Sequence, residues 1–192
     1  MLFRSNTPAD IPAGGFQTYV ISVTPSAAFG ATEVQLSFGG ANTFPVPPLL
    51  GINTLLLSAS TSPVPDIIAL ASTPTGDLIT NVSGTTRTGI FAVATSNAGA
   101  GGSITVSTDT EGAVLPLIVN LCQTDPTTAA CLAPPAPSVT ATMNAGATPT
   151  FSFFVTGTGS VPFDPATNRI FVRFKDAGLV TRGSTSVAVR TQ

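Results

Sequence analysis

The chain is 192 residues long, with a formal net charge of −2, only 8% charged residues and no histidine. Without histidine the commonest general base and metal ligand is missing, which excludes the usual serine or cysteine hydrolase triads and most zinc sites. So small and negative a charge argues against a nucleic-acid partner, and no stretch approaches the run of about 18 apolar residues that a membrane helix needs.

Polarity is carried by Thr, Ser, Asn and Gly rather than by charge. The 18 glycines and 17 prolines break every helical pattern of useful length, while Thr and Val favour a pleated, half-buried surface. The composition is all-β. The most apolar region, residues 44–59, is itself interrupted by Pro45, Pro47, Pro48, Gly51 and Asn53.

In chain order, residues 1–5 hold one basic residue and no apolar run, so they are not a signal peptide. Leu2-Phe3-Arg4-Ser5 matches what the tail of a common sequencing adapter encodes. Residues 1–5 therefore read as non-native and the chain as a fragment. Pro12-Ala13-Gly14-Gly15 is a turn. Three alternating runs follow, with apolar positions Tyr19, Ile21, Val23, then Val34, Leu36, Phe38, then Leu55, Leu57. Residues 1–60 thus read as the last three strands of a partial β unit. Such a unit should leave Tyr19, Ile21, Leu36, Phe38, Leu55 and Leu57 exposed unless it borrows cover. Residues 61–65, Thr61-Ser62-Pro63-Val64-Pro65, form a Pro-rich, extended linker.

A complete unit is expected over residues 66–192. Its strands are predicted at 66–71, 78–82, 89–96, 103–108, 113–122 and 138–143, closing with three more between Thr150 and Thr191. The inward positions include Phe91, Val93, Ile104, Val106, Leu117, Val119, Leu121, Val139, Ala141 and Met143. In the closing three strands they are Phe151, Phe153, Val155, Ile170, Val172, Phe174, Val187 and Val189. Many short strands with turn signals between them mean a β-sandwich or barrel. The sandwich is favoured because the closing three strands repeat the pattern of residues 19–57, as stacked tandem units would. Each copy also places a glycine, Gly51 or Gly183, four residues before the first core position of its third strand.

Cys122 and Cys131 flank a hairpin-like loop whose ends should approach closely, so a disulfide is expected. It would stabilise by about 2–3 kcal/mol on the chain-entropy model and would place the chain outside the cell or in a periplasm. The alternative is two unpaired thiols in a reducing compartment. The spacing is too wide for a redox C-x-x-C pair.

A strand ending in Ala94-Thr95-Ser96-Asn97-Ala98-Gly99, followed by the alternating Ser103-Ile104-Thr105-Val106, resembles bacterial immunoglobulin-like, adhesion-related (CARDB-like) repeat domains. The runs Val161–Gly178 and Arg182–Thr191 resemble the closing segment of repeat-bearing secreted bacterial proteins. The resemblance implies an immunoglobulin-like β-sandwich that serves as a non-enzymatic structural or adhesive module, secreted or on a cell surface. Its partners would be neighbouring repeats. It implies no catalytic residue, cofactor or metal. The other reading carried forward is a carbohydrate-binding module of a secreted enzyme, against which stand the absence of Trp and the single Tyr.

Asp109 and Glu111 are the nearest carboxylate pair, but they fall in a turn, where solvated acids are expected rather than a glycosidase pair or a calcium site. Asp164–Asn168 reads as a turn opened by Asp. The only surface worth testing for binding is basic. Strand alternation puts Arg169, Phe171, Arg173 and Lys175 opposite Ile170, Val172 and Phe174, with Arg190 on a neighbouring strand. An open basic face with an exposed aromatic would suit an anionic glycan or an acidic protein surface.

Overall fold

The computed structural model describes residues 9–84 and 87–192. The reading of residues 1–5 as non-native lies outside the described residues. Among the described residues there are eleven strands: β1 (Phe29–Gln35), β2 (Thr54–Ala59), β3 (Ile67–Ser72), β4 (Ile79–Val82), β5 (Thr88–Asn97), β6 (Gly102–Asp109), β7 (Leu117–Thr124), β8 (Ser138–Met143), β9 (Thr150–Gly157), β10 (Arg169–Asp176) and β11 (Thr181–Thr191). Nine of them, β3 to β11, build a β-sandwich from a four-stranded sheet, β3-β5-β9-β7, and a five-stranded sheet, β4-β11-β10-β6-β8. Within it every pair is antiparallel except β4, which runs parallel to β11.

The sandwich forms where one-sided alternation said it would. Burial of β5 switches residue by residue, with Phe91 and Val93 inside and Ile90, Ala92 and Ala94 outside. The same period puts Ile104 and Val106, Leu121, Met143, and Phe151, Phe153 and Val155 into one core with Ile170, Val172, Phe174, Val187 and Val189. Leu117, Val119 and Val139 lie at its margin, partly buried. Phe91 stacks on Phe153 at 4.5 Å between ring centroids, and Phe151 meets Phe174 edge-on at 5.9 Å, which joins the two sheets through aromatic contact. The seventh strand starts later than the alternation implied, at Leu117 rather than Ala113, because Pro116 stands before it and cannot donate to a ladder.

Charge is segregated between the sheets. None of β3, β5, β7 and β9 contains a charged residue, whereas β10 alone carries Arg169, Arg173, Lys175 and Asp176. The outer face of the four-stranded sheet shows Ile68, Leu70, Ile90, Ile118 and Phe154 to solvent.

Residues 9–60 follow the sequence reading only in part. Pro12–Gly15 turns as expected, with the Gly15 N–H donating to Pro12 O at 2.8 Å. Residues 19–24 alternate but form no strand, which corrects the expectation of three strands. Alternation supplies a face, and a strand also needs a neighbour to complete its backbone hydrogen bonds. β1 and β2 form a two-stranded antiparallel sheet with Val34 opposite Leu55. In the closing hairpin Ile170 is opposite Val187, so the positions matched by sequence are also matched in register. Tyr19, Ile21, Phe38 and Leu55 are exposed, while Leu36 and Leu57 are half-buried.

The linker is not a free spacer along its whole length. Val64 and Pro65 are half-buried, and Val64 O accepts from Ala100 N–H at 2.9 Å. The approach is close enough that a Cβ on Gly99 would lie 2.3 Å from Val64 O, so only glycine fits there.

Candidate functional site

The basic residues singled out by sequence do share one region, but they do not form an open face. Strand β10 is buried on both sides from Arg169 to Phe174. Phe171, expected as an exposed aromatic, keeps only 4% of its surface, and Arg169 and Arg173 keep 7% each. Part of the cover comes from the N-terminal unit. Gly51 adopts a positive φ of 71°, and a Cβ built on it would stand 2.9 Å from the Phe171 ring. The β1–β2 pair lies over the same sheet, and the depression between them is lined by Glu33 and Leu56 on one side and Asp109, Glu111, Arg173 and Lys175 on the other. Alternation had correctly assigned Arg169, Phe171, Arg173 and Lys175 to one face. It could not say that a segment more than a hundred residues away in sequence lies on that face.

The three arginines are also already engaged. Arg169 donates through Nε and Nη2 to Ser186 Oγ at 3.1 and 2.9 Å and through Nη1 to Pro165 O at 2.8 Å. These partners are neutral, and burial pushes its guanidinium below its ordinary pKa. Arg173 donates to Asp109 at 3.1 Å and to Ser184 at 2.9 Å, is ion-paired with Glu111, and lies 4.8 Å above the Phe171 ring. Arg190 donates to Asn81 Oδ1 at 2.7 Å and covers the Phe163 ring at 4.9 Å. Lys175 is half-buried in the depression. Arg173 is therefore a buried guanidinium held by two carboxylates that stay exposed, so Asp109 and Glu111 face solvent as turn acids do but are also ion-paired. Opposite them, Glu33 Oε2 is buried without a hydrogen-bond partner.

The remaining acids mostly shape turns. Asp77 accepts from the Thr75 hydroxyl at 2.6 Å and from Ile79 N–H at 3.0 Å. Asp125 accepts from the N–H groups of Thr128 and Thr127 at 2.8 and 2.9 Å. Asp164 accepts from the Thr167 hydroxyl at 2.6 Å and from Ala166 N–H at 3.3 Å, as its sequence predicted. Each set of donors holds its carboxyl below the ordinary value of 3.8. Burial raises the Asp176 carboxyl, but Arg182 at 2.6 Å and the Val180 and Gly178 N–H groups outweigh it and leave it lowered too. A depressed carboxyl contributes stability above its unfolded pKa and loses it as pH falls through the folded value. The thermal midpoint should therefore hold from pH 7 to about pH 5 and decline below about pH 4. Circular dichroism melts across that range check this. A midpoint unchanged down to about pH 2 would show that these four turns contribute nothing.

The cysteines are joined. The Cys122–Cys131 disulfide spans 5.6 Å between Cα atoms, with Cys122 in β7 and Cys131 in the segment that returns along its edge. Among the described residues no group of three or more acidic or cysteine side chains is arranged to hold a metal ion, and no helix is long and apolar enough to cross a membrane.

Sequence reasoning missed Asn97 as a structural centre. It is fully buried at the end of β5. Its Oδ1 accepts from Asp66 and Gly99 N–H, both at 3.1 Å, and its Nδ2 donates to the carbonyls of Ala100, Met143 and Asn144 at 2.8, 3.0 and 3.2 Å. The available signal was the Ser96-Asn97-Ala98-Gly99 turn itself, since an Asn there can bond its own loop. Its reach into two other loops was not legible.

No family model and no curated relative matches the chain. Among solved structures it is similar to the N-terminal domain of PorA, with a TM-score of 0.35 and 6% identity over 65% of this chain and 98% of that one. It is also similar to part of a β-glucosidase from Listeria innocua, solved with glucose and with isofagomine. There the TM-score is 0.29, the identity 13% and 12%, and the coverage 71% and 72% of this chain but 17% of the enzyme. Both likenesses are too loose to bear on activity.

Proposed function

We propose that the chain is a non-enzymatic structural and adhesive module of a secreted or surface-exposed bacterial repeat protein, with a sandwich of the immunoglobulin-like kind. The strand order supports the second part. β3-β5-β9-β7 in one sheet and β6-β10-β11 in the other follow the A-B-E-D and C-F-G arrangement of seven-stranded immunoglobulin domains. β4 is then an addition beside β11, and β8 an addition outside β6. The disulfide fits an oxidising compartment.

The observation that carries the structural reading is the parallel pairing of β4 with β11, from Ile79 opposite Ala188 to Val82 opposite Thr191. Tension applied between the linker and residue 192 pulls these strands past each other along their length. All their hydrogen bonds then resist together, instead of opening one at a time as in an unzipped hairpin. A module in a chain under load benefits from that geometry. Force spectroscopy with handles at residues 62 and 192 should give a higher unfolding force than handles at residues 167 and 192, which peel β11 from β10. Equal forces would remove the load-bearing reading.

A further inference from the structure

We infer that the Cys122–Cys131 bridge latches a cover over the outer edge of β7, and that the edge beneath it is an association site for a second copy of this chain. β7 closes one side of the four-stranded sheet. After Thr124 the chain turns back through residues 125–130 and runs along β7 in the opposite direction. Leu132 N–H donates to Gln123 O at 2.9 Å. Leu121 N–H donates to Ala136 O at 2.8 Å, and Ala136 N–H returns a bond to Leu121 O at 2.9 Å. Thr124 and Cys131 form a further bridge. These contacts occupy the outward backbone groups of Leu121 and Gln123, in the half of β7 that carries Cys122.

The cover is made so that it cannot pass the edge onward. Pro134, Pro135 and Pro137 have no N–H to offer a further strand. The edge it hides needs hiding. Leu117–Thr124 reads LIVNLCQT, with no charge and no proline, which is the composition that pairs readily with another copy of itself. Two such edges meeting antiparallel would place no like charges opposite each other. The bridge is positioned as a latch. Cys122 is 1% exposed and fixed in β7, whereas Cys131 is on the exposed cover, so the covalent bond joins the scaffold to the flap.

The test is the full chain carrying Cys122→Ala with Cys131→Ser, followed by amide hydrogen exchange and light scattering. The amides of Leu121, Leu132 and Ala136 should exchange about tenfold faster than the change seen at β9 amides such as Val155 accounts for. The mass should double with rising concentration, and adding Asn120→Lys, which sets like charges against each other across the new pair, should return the monomer. An equal acceleration of all amides would mean that the bridge only raises global stability, and a chain that stays monomeric throughout would overturn the proposal. Should the double variant fail to fold, Ala136→Pro with the bridge intact removes one bond of the cover. Unchanged exchange at Leu121 in that variant also overturns it.

Discussion

Replacing Asn97 with Asp should destabilise the sandwich by about 3–5 kcal/mol, lowering the thermal midpoint by roughly 10–20 °C. The side chain keeps its shape, so no cavity forms. The loss comes from chemistry at one atom. Nδ2 donates to three carbonyl oxygens, of Ala100, Met143 and Asn144. In the variant an oxygen faces those three oxygens, in a site with no exposed surface. Burial and the carbonyls both disfavour the charged carboxylate, so its folded pKa lies above the unfolded one. The sign follows. The variant comes nearest to the parent in acid, where the carboxyl is protonated and can donate to one carbonyl, and it falls further behind as pH rises. Asn97→Ala should lose a similar amount, because Asp66 and Gly99 N–H lose their acceptor, but without that added pH dependence. Paired melts of the two variants at pH 4 and pH 8 separate the cases. Equal pH profiles would show that lost packing, not polar mismatch, sets the cost.

Gly183→Ala should cost about 3 kcal/mol or more, although Ala is the better residue in most strands. A Cβ at this position would lie 2.1 Å from Ile67 O and 2.8 Å from Ile67 Cβ. Ile67 O belongs to the main chain, so no rotamer change relieves the clash. β3 would have to move away from β11, and these two strands belong to different sheets. The position lies at an irregularity in β11, where Phe174 pairs with Gly183 but Lys175 pairs with Thr181. The bulge brings β11 toward β3 and closes that side of the core around Ile67. Gly30→Ala is the matched control, since nothing lies within 4 Å of its Cβ position and its φ is not positive. It should change the unfolding free energy from chemical denaturation by less than about 0.5 kcal/mol. If both variants lost the same amount, close approach at Gly183 would not be the cause.

These two positions show what kind of information a sequence carries. Gly51 and Gly183 occupy matched places in the two repeated patterns, and they are needed for different reasons. Gly51 has a positive φ and touches the Phe171 ring. Gly183 has no positive φ and is needed because another backbone passes over it. Spacing along the chain cannot distinguish a turn from a crossing. Asn97 is similar. Its own turn is local, but Asp66 is 31 residues away and Met143 is 46 away.

The basic face illustrates the same boundary from the other side. Period-two alternation is a property of the extended backbone, so it assigned Arg169, Phe171, Arg173 and Lys175 to the face opposite Ile170, Val172 and Phe174 without reference to any other element. What covers each face depends on the rest of the molecule. Here the outer face of β10 lies beneath the N-terminal unit and holds an ion-paired Arg173, so the surface proposed for an anionic ligand is mostly interior.

The sequence by itself determined the all-β class, the nine strands of the sandwich to within a few residues, most of its core and the closeness of Cys122 to Cys131. All of these rest on local rules of backbone geometry, proline chemistry and hydrophobic alternation. Only the tertiary structure decided that residues 19–24 form no strand, that β4 pairs in parallel with β11, that Asn97 ties three loops together and that β10 is buried on both sides. Each of these depends on which distant segment supplies the partner, and hydrogen-bond donors and packing surfaces are satisfied in space, not along the chain.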